Sequence, residues 1–193
     1  MEKVTKNIYI IKPGELVRDD RGMILYASSS VILMDDEFPL LVDTGLSQDW
    51  EKIKTGIEEA GFSVDDIKVI INTHLHVDHI GCNNRIDAEK YADPREIAQT
   101  QKRDYLPCPA IISDNISTIK TPGHSYGHIS VVFKDGKVVV ASGDAIPTKN
   151  NYIERVPPRI HVDRDEAMRS FYKIEKIADI VIPGHDEPFS IKD

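Results

Sequence analysis

Between residues 74 and 79 the chain reads His74-Leu75-His76-Val77-Asp78-His79, four metal-capable side chains in six positions. Directly before it stands Ile67 to Ile71, a β-branched stretch of the kind that forms a strand buried on both faces. Such a cluster constrains the fold, because burying many ionisable groups without a cation costs several kcal/mol each. Other parts of the chain are therefore expected to converge on the same point. The candidates are His124 in Thr121-Pro122-Gly123-His124, Asp144 in Ser142-Gly143-Asp144 and His185 in Pro183-Gly184-His185. Each follows a strand-like run beside glycine, where the backbone can turn sharply. Imidazole and carboxylate donors suit Zn²⁺, Fe or Mn²⁺, and no thiolate stands close enough for a structural zinc–cysteine site.

The rest of the chain reads as one layered α/β domain over residues 1–193. Predicted strands are Asn7 to Ile11, Ser29 to Met34, Phe38 to Val42, Ile67 to Ile71 and Ile180 to Ile182. A hairpin joins Val131–Phe133 to Val138–Ala141 through Asp135-Gly136. Glu15 to Gly22 reads as a loop. Helical periodicity runs from Gln48 to Ala60, stopped by Gly61. Asp93-Pro94-Arg95-Glu96 starts a second helix, expected to reach about Tyr105, and a third spans Asp165 to Ala178. With 40% apolar and 29% charged residues, the chain is neither a disordered tail nor collagen-like. No apolar run reaches the ~18–20 residues of a membrane span, so no membrane association is expected. The N-terminus lacks an export signal and there are two cysteines, Cys82 and Cys108, so a cytoplasmic location is expected. A net charge of −8 gives nucleic-acid binding no electrostatic support.

Asp43, His74-x-His76-x-Asp78-His79, His124, Asp144 and His185 resemble, in order, the five motifs of the metallo-β-lactamase-fold hydrolases. The resemblance covers the chain from about Val31 onward. It implies an αββα sandwich: two mixed β-sheets face to face, helices outside, and two divalent metal ions, zinc before iron or manganese, along one edge. Carried over, His74, His76 and His124 bind the first metal. Asp78, His79 and His185 bind the second, and Asp144 bridges the two. Asp43 and His128 support these groups without touching metal. In that architecture metals ~3.5–4 Å apart share a water whose pKa falls to about 7, and the hydroxide attacks the substrate. Asp78 and Asp144 are then the catalytic carboxylates.

The stretch from Ala178 to Phe189 and the β-rich run leading into Asp144 resemble the short single-domain branch that includes metallo-β-lactamase domain-containing protein 1. With its short tail after His185, the chain is expected to lack the helical domain with which glyoxalase II recognises glutathione thioesters. Acyl-homoserine lactonases share Pro-Gly-His-x-x-Gly-His, but their catalytic tyrosine would fall near Pro147, leaving Tyr152 or Tyr126 as substitutes. The expected substrate is a small ester, lactone or thioester. A phosphodiester or RNA, cut by the same metal site, is the alternative, and a mononuclear iron, persulfide-dioxygenase-like member is the second. A homodimer is left open. The loop from Ala145 to Val162 is the natural substrate rim, with Lys149, Tyr152 and Arg155 as its candidates, and cations there imply an anionic substrate group. Lys12 to Gly22 is the expected opposite lip. His161 reads as solvated and Cys82 as a small buried residue.

Overall fold

In the computed structural model, residues 1–191 are described. The apolar alternation of the sequence resolves into two mixed sheets packed face to face. The first contains β1 (Glu2–Thr5), β2 (Ile8–Lys12), β5 (Val31–Asp35), β6 (Pro39–Val42), β7 (Val69–Ile71), β8 (Glu89–Ala92) and β9 (Leu106–Pro107), in that spatial order. Its pairs are antiparallel as far as β6 and parallel from β6 to β9. The second contains β10 (Ile116–Lys120), β11 (Ile129–Asp135), β12 (Lys137–Gly143), β13 (Ile180–Pro183) and β14 (Phe189–Ser190). Only its β12–β13 pair is parallel. β3 (Glu15–Arg18) and β4 (Ile24–Ser28) form a separate hairpin.

Three apolar layers follow from alternating side chains. Ile10, Ile32, Leu40 and Val42 from one sheet meet Val131, Phe133, Val139 and Ile182 from the other. On the outer face of the first sheet, α1 (Trp50–Glu59) buries Ile53 and Ile57 against Leu33, Leu41 and Ile70. On the outer face of the second, α5 (Arg164–Ile177) buries Phe171 and Ile174 against Val140 and Val181. This is the expected helix–sheet–sheet–helix layering. The shorter helices are α2 (Val77–Ile80), α3 (Pro94–Thr100) and α4 (Lys149–Glu154). No described helix is long and apolar enough to cross a membrane.

Two local expectations are corrected. Glu15 to Gly22 is not all loop: β3 pairs with β4 through a turn in which Gly22 takes φ 74°. Only five residues separate the two short strands, and β3 carries just two consecutive apolar residues, too few to show a period. The helix that starts at Pro94 stops at Thr100, because Gln101 adopts a left-handed φ of 56°. Tyr105 instead packs inward and accepts a hydrogen bond from Asn83 Nδ2 at 2.8 Å.

The topology gathers the chemistry at one edge. β6 ends before Asp43, β7 before His74, β12 before Asp144 and β13 before His185. Because β6 and β7 are parallel, as are β12 and β13, their carboxyl ends point the same way within each sheet. The sheets are stitched there by Ile129 N donating to Thr73 O at 2.9 Å.

Candidate metal centre

Five imidazoles and two carboxylates from four separate segments meet at that edge. His74 Nε2, His76 Nδ1 and His124 Nε2 form a triangle with sides of 2.9, 3.0 and 3.2 Å. Beside it, Asp78 Oδ2 lies 3.5 Å from His185 Nε2 and 3.9 Å from His79 Nε2. Asp144 stands between the two groups. Its Oδ2 is 3.5 Å from His124 Nε2, while its Oδ1 is 3.1 Å from His185 Nε2 and 3.5 Å from His79 Nε2. Three sets of three donor atoms lie within 4.8 Å of one another: His74, His76, His124; His74, His79, Asp144; and Asp78, His79, His185.

The outward-facing nitrogens explain why the donors point inward. His79 Nδ1 donates to Asp43 Oδ2 at 2.8 Å. His124 Nδ1 donates to Ile160 O at 2.7 Å, and His185 Nδ1 to Ser28 O at 3.1 Å. His74 Nδ1 contacts Thr73 Oγ1 at 3.1 Å. Each such bond fixes a ring's orientation and leaves the opposite nitrogen a lone pair for an ion. Asp43 itself touches none of the inward-facing donor atoms named above. It takes a left-handed φ of 57° and accepts from Thr73 N and Thr73 Oγ1, both at 2.8 Å. His128 is also behind the cluster: its Nε2 accepts Asp144 N at 3.1 Å and its Nδ1 faces Thr121 Oγ1 at 2.9 Å. That arrangement requires neutral His128, and burial pushes its pKa well below the ordinary value.

The donor set fits metal ions. His79 Nε2 and Asp144 Oδ1 are buried yet lack a hydrogen-bond partner, which a cation between them would supply. The imidazole triangle approaches the ~3.3 Å edges of a tetrahedral site with metal–nitrogen bonds of about 2.0–2.1 Å. The electrostatics agree. Burial lowers His74 well below its ordinary pKa, but at His79 the Asp43 and Asp144 carboxylates overcome burial and raise it well above. Burial would raise Asp144, and the neighbouring His185 and His124 nevertheless hold it well below the ordinary carboxylate value. The second group of donors is thus a place where positive charge is favoured.

Backbone approach limits which residues can stand here. Gly143 adopts φ 50°, and a Cβ would come within 2.6 Å of Thr73 Oγ1. A Cβ on Gly184 would collide with the Asp144 carboxylate itself.

Several supporting residues were not legible in the sequence. Ser28, Ser29 and Ser30 are buried, and Ser30 N donates to Gly184 O at 2.6 Å while Ser29 N donates to Asp78 O at 3.0 Å. Lys12, fully buried, donates to Ser28 Oγ at 2.8 Å and Ser29 O at 3.1 Å, with Asp49 Oδ2 at 3.8 Å. Glu96, read from the sequence as part of a helix start, instead accepts from Leu75 N at 3.3 Å and Gly127 N at 2.9 Å. It therefore clamps together the two loops that carry His74, His76 and His124. A serine triplet or a lone lysine gives no periodic or motif signal that could have found these.

A cavity of about 340 Å³ opens over the cluster, with Leu16, Ile24, Pro147, Pro158 and Ile160 among its walls. Both expected lips contribute to it, but the three named rim residues do not. Tyr152 stacks between Phe171 and Phe189, with ring centroids 5.8 and 5.1 Å away. Arg155 pairs with Glu175 at 2.9 Å and covers the Tyr172 ring. Lys149 opens α4, its N–H donating to Asp186 at 3.0 Å. Phe171 and Phe189 draw the Tyr152 ring away from it, and the acid in α5 draws Arg155. Arg18 and Arg159 stand at the cavity instead. Neither Tyr126 nor Tyr152 lines it. His161 Nδ1 bonds Pro158 O at 2.7 Å in an exposed loop, and Cys82 is buried with its thiol pushed up to about 11.

Residues 24–100 match the model of the metallo-beta-lactamase superfamily. A protein of Methanocaldococcus jannaschii named "Probable metallo-hydrolase MJ0296" is 42% identical over 149 residues, covering 76% of this chain and 70% of that protein. Metallo-beta-lactamase domain-containing protein 1 of Xenopus laevis is 27% identical over 183 residues, 90% of this chain and 77% of that protein. Among solved structures, an N-acyl homoserine lactone hydrolase with N-hexanoyl-L-homoserine bound at its catalytic metal center superposes with a TM-score of 0.76. It is 23% identical, and the match covers 95% of this chain and 94% of that one. The chain belongs to the metallo-β-lactamase superfamily and is a metal-dependent hydrolase.

Proposed function

We propose that this hydrolase works with two divalent metal ions, zinc in the first instance, on a small ester, lactone or thioester. The observation that carries the reading is Asp144, whose two oxygens face different donor groups, Oδ2 toward His124 and Oδ1 toward His79 and His185. His74, His76 and His124 would hold one ion, Asp78, His79 and His185 the other, and Asp144 would contact both. Bound there, the ions would lower the pKa of a coordinated water to about 7 and polarise the substrate oxygen. The chain's own groups do the rest. Asp43, Ser28 O and Ile160 O keep three imidazoles in the tautomer that presents Nε2. Asp78 lines the cavity and is placed to take a proton from the attacking water. The apolar walls exclude bulk water and receive the hydrocarbon part of an acyl group.

Apolar walls favour an acyl compound over a polynucleotide, whose backbone needs a basic track. On this reading residues 1–193 act as one domain in the cytoplasm, with a small molecule as principal partner. The lactone hydrolase whose fold this chain shares lends support to a lactone among the substrates. The test is metal analysis of purified protein, followed on the same sample by ester, lactone, thioester, phosphodiester and single-stranded RNA substrates. Two equivalents of metal with acyl-ester or lactone turnover is the expected result. One tightly bound iron with visible absorption and no hydrolysis would overturn it.

A further inference from the structure

Two cations at the mouth of the cavity have no assigned work. Arg18 ends β3, and Arg159 lies in the loop between α4 and α5. Both line the cavity that reaches His76, Asp78, His124, Asp144 and His185. Although 141 positions apart, both guanidiniums donate to one backbone acceptor, Gly22 O, Arg18 at 3.1 Å. Among the described residues neither arginine forms an ion pair, in a chain with 32 acidic residues against 24 basic ones. The nearest acid in sequence, Asp19, is engaged by the N–H groups of Arg21 and Met23 at 3.0 and 2.7 Å. A shared carbonyl uses one donor from each fork, and a guanidinium has five N–H donors. The remaining donors suit the planar, two-oxygen face of an anion.

The surroundings define what such an anion would belong to. The cavity that the arginines share with the donor groups has hydrocarbon walls from Leu16, Ile24 and Ile160 among others. The neighbouring hollow that shares Leu16, Arg18 and His185 carries Glu154 and Asp186 and no further lysine or arginine, so no row of such cations continues into it. One anionic group is accommodated, not a polyanion.

We propose that Arg18 and Arg159 form an anion subsite that selects acyl substrates with a carboxylate or phosphonate-type group at the end remote from the scissile bond. This rests on the hydrolase reading above. In the reaction, water adds to the acyl carbon, the bond to the leaving oxygen or sulfur breaks, and the leaving group departs with a proton. The anionic end takes no part in that exchange and contributes through binding.

The experiment uses the metal-loaded protein and three p-nitrophenyl esters: hexanoate, the mono-ester of adipic acid, and the ester of 5-phosphonopentanoic acid. The adipate or phosphonate ester should exceed hexanoate in kcat/KM by about tenfold or more, the scale of one strong charged contact. Which of the two leads identifies the preferred anion. In R18Q/R159Q the loss for the leading anionic ester should exceed that for hexanoate by at least tenfold, through KM. R155Q should change neither. Raising salt should shrink the preference, because the arginines are exposed. A wild-type protein indifferent to the remote charge, or equal losses for all three esters, would overturn the subsite. So would RNA cleavage lost in R18Q/R159Q without a change in ester selectivity. If no ester is turned over, the acyl-substrate reading fails separately. Calorimetric binding of adipate to metal-free protein, abolished in R18Q/R159Q, would still support the arginines, and binding unaffected by the change would overturn them.

Discussion

The floor and the mouth of the cavity share one space but differ in how firmly they are held. At the floor His74, His79, His124, Asp144 and His185 are buried, and the histidines each bond a further group that fixes the ring. At the mouth Arg18 and Arg159 are exposed and share a single carbonyl. Groups that must converge within hydrogen-bond distance of one another, against their mutual desolvation, need a rigid second layer. Groups that read one end of a substrate need reach more than rigidity. The family's chemistry resides in the first region, and the proposed selectivity of this chain in the second.

Four substitutions test that contrast, from largest effect to smallest. Asp144→Ala removes the carboxylate that faces both donor groups. Bound metal should fall below one equivalent, and kcat/KM by more than the roughly 100-fold typical of residues that merely support a ligand. Full metal content and rate in this variant would show that the two donor groups do not depend on a shared carboxylate. Lys12→Met strips the buried ammonium from Asp49, which lies 3.8 Å away and is itself buried. Breaking such a pair costs about 3–5 kcal/mol, read as a shift in denaturation midpoint. The double variant with Asp49→Asn should recover part of it; a midpoint that never moved would mean the floor does not rely on this pair.

Asp43→Asn keeps a residue that tolerates the left-handed backbone but removes the charge behind His79. Metal affinity, measured by chelator competition, should weaken by about 10–100-fold while the melting profile changes little. Unaltered affinity would demote Asp43 to a backbone role through Thr73. Arg155→Met is the control from the surface. It removes an exposed pair with Glu175, which solvent screens, and should leave both the melting profile and KM for every substrate unchanged. A raised KM would return Arg155 to the substrate rim.

Legibility in the sequence followed the range of the interactions. The His74–His79 motif could be read because its donors are local and their spacing is fixed by one strand end. Asp144 and His185 could be read because glycine and a preceding strand mark each turn, and Gly143 and Gly184 prove to be where side chains would collide. The Glu15–Arg18 strand could not, since its pairing with Ile24–Ser28 depends on a two-strand register and not on a long apolar period. The side chains of Tyr152 and Arg155 escape sequence reading for a similar reason. Their loop does reach the cavity, through Pro158, Arg159 and Ile160, but packing onto Phe171 and pairing with Glu175 take the named side chains elsewhere.

Sequence alone determined the donor types, their order and the layered sheets that carry them, because those depend on residue chemistry and on periods of a few positions. Tertiary structure decided which buried groups hold the donors and which cations stand over them. Lys12 beneath Ser28, Glu96 between Leu75 and Gly127, and Arg18 beside Arg159 are meetings between segments distant in the chain. Their partners are set by the packing of two sheets and a hairpin, a three-dimensional constraint that leaves no repeating mark along one dimension.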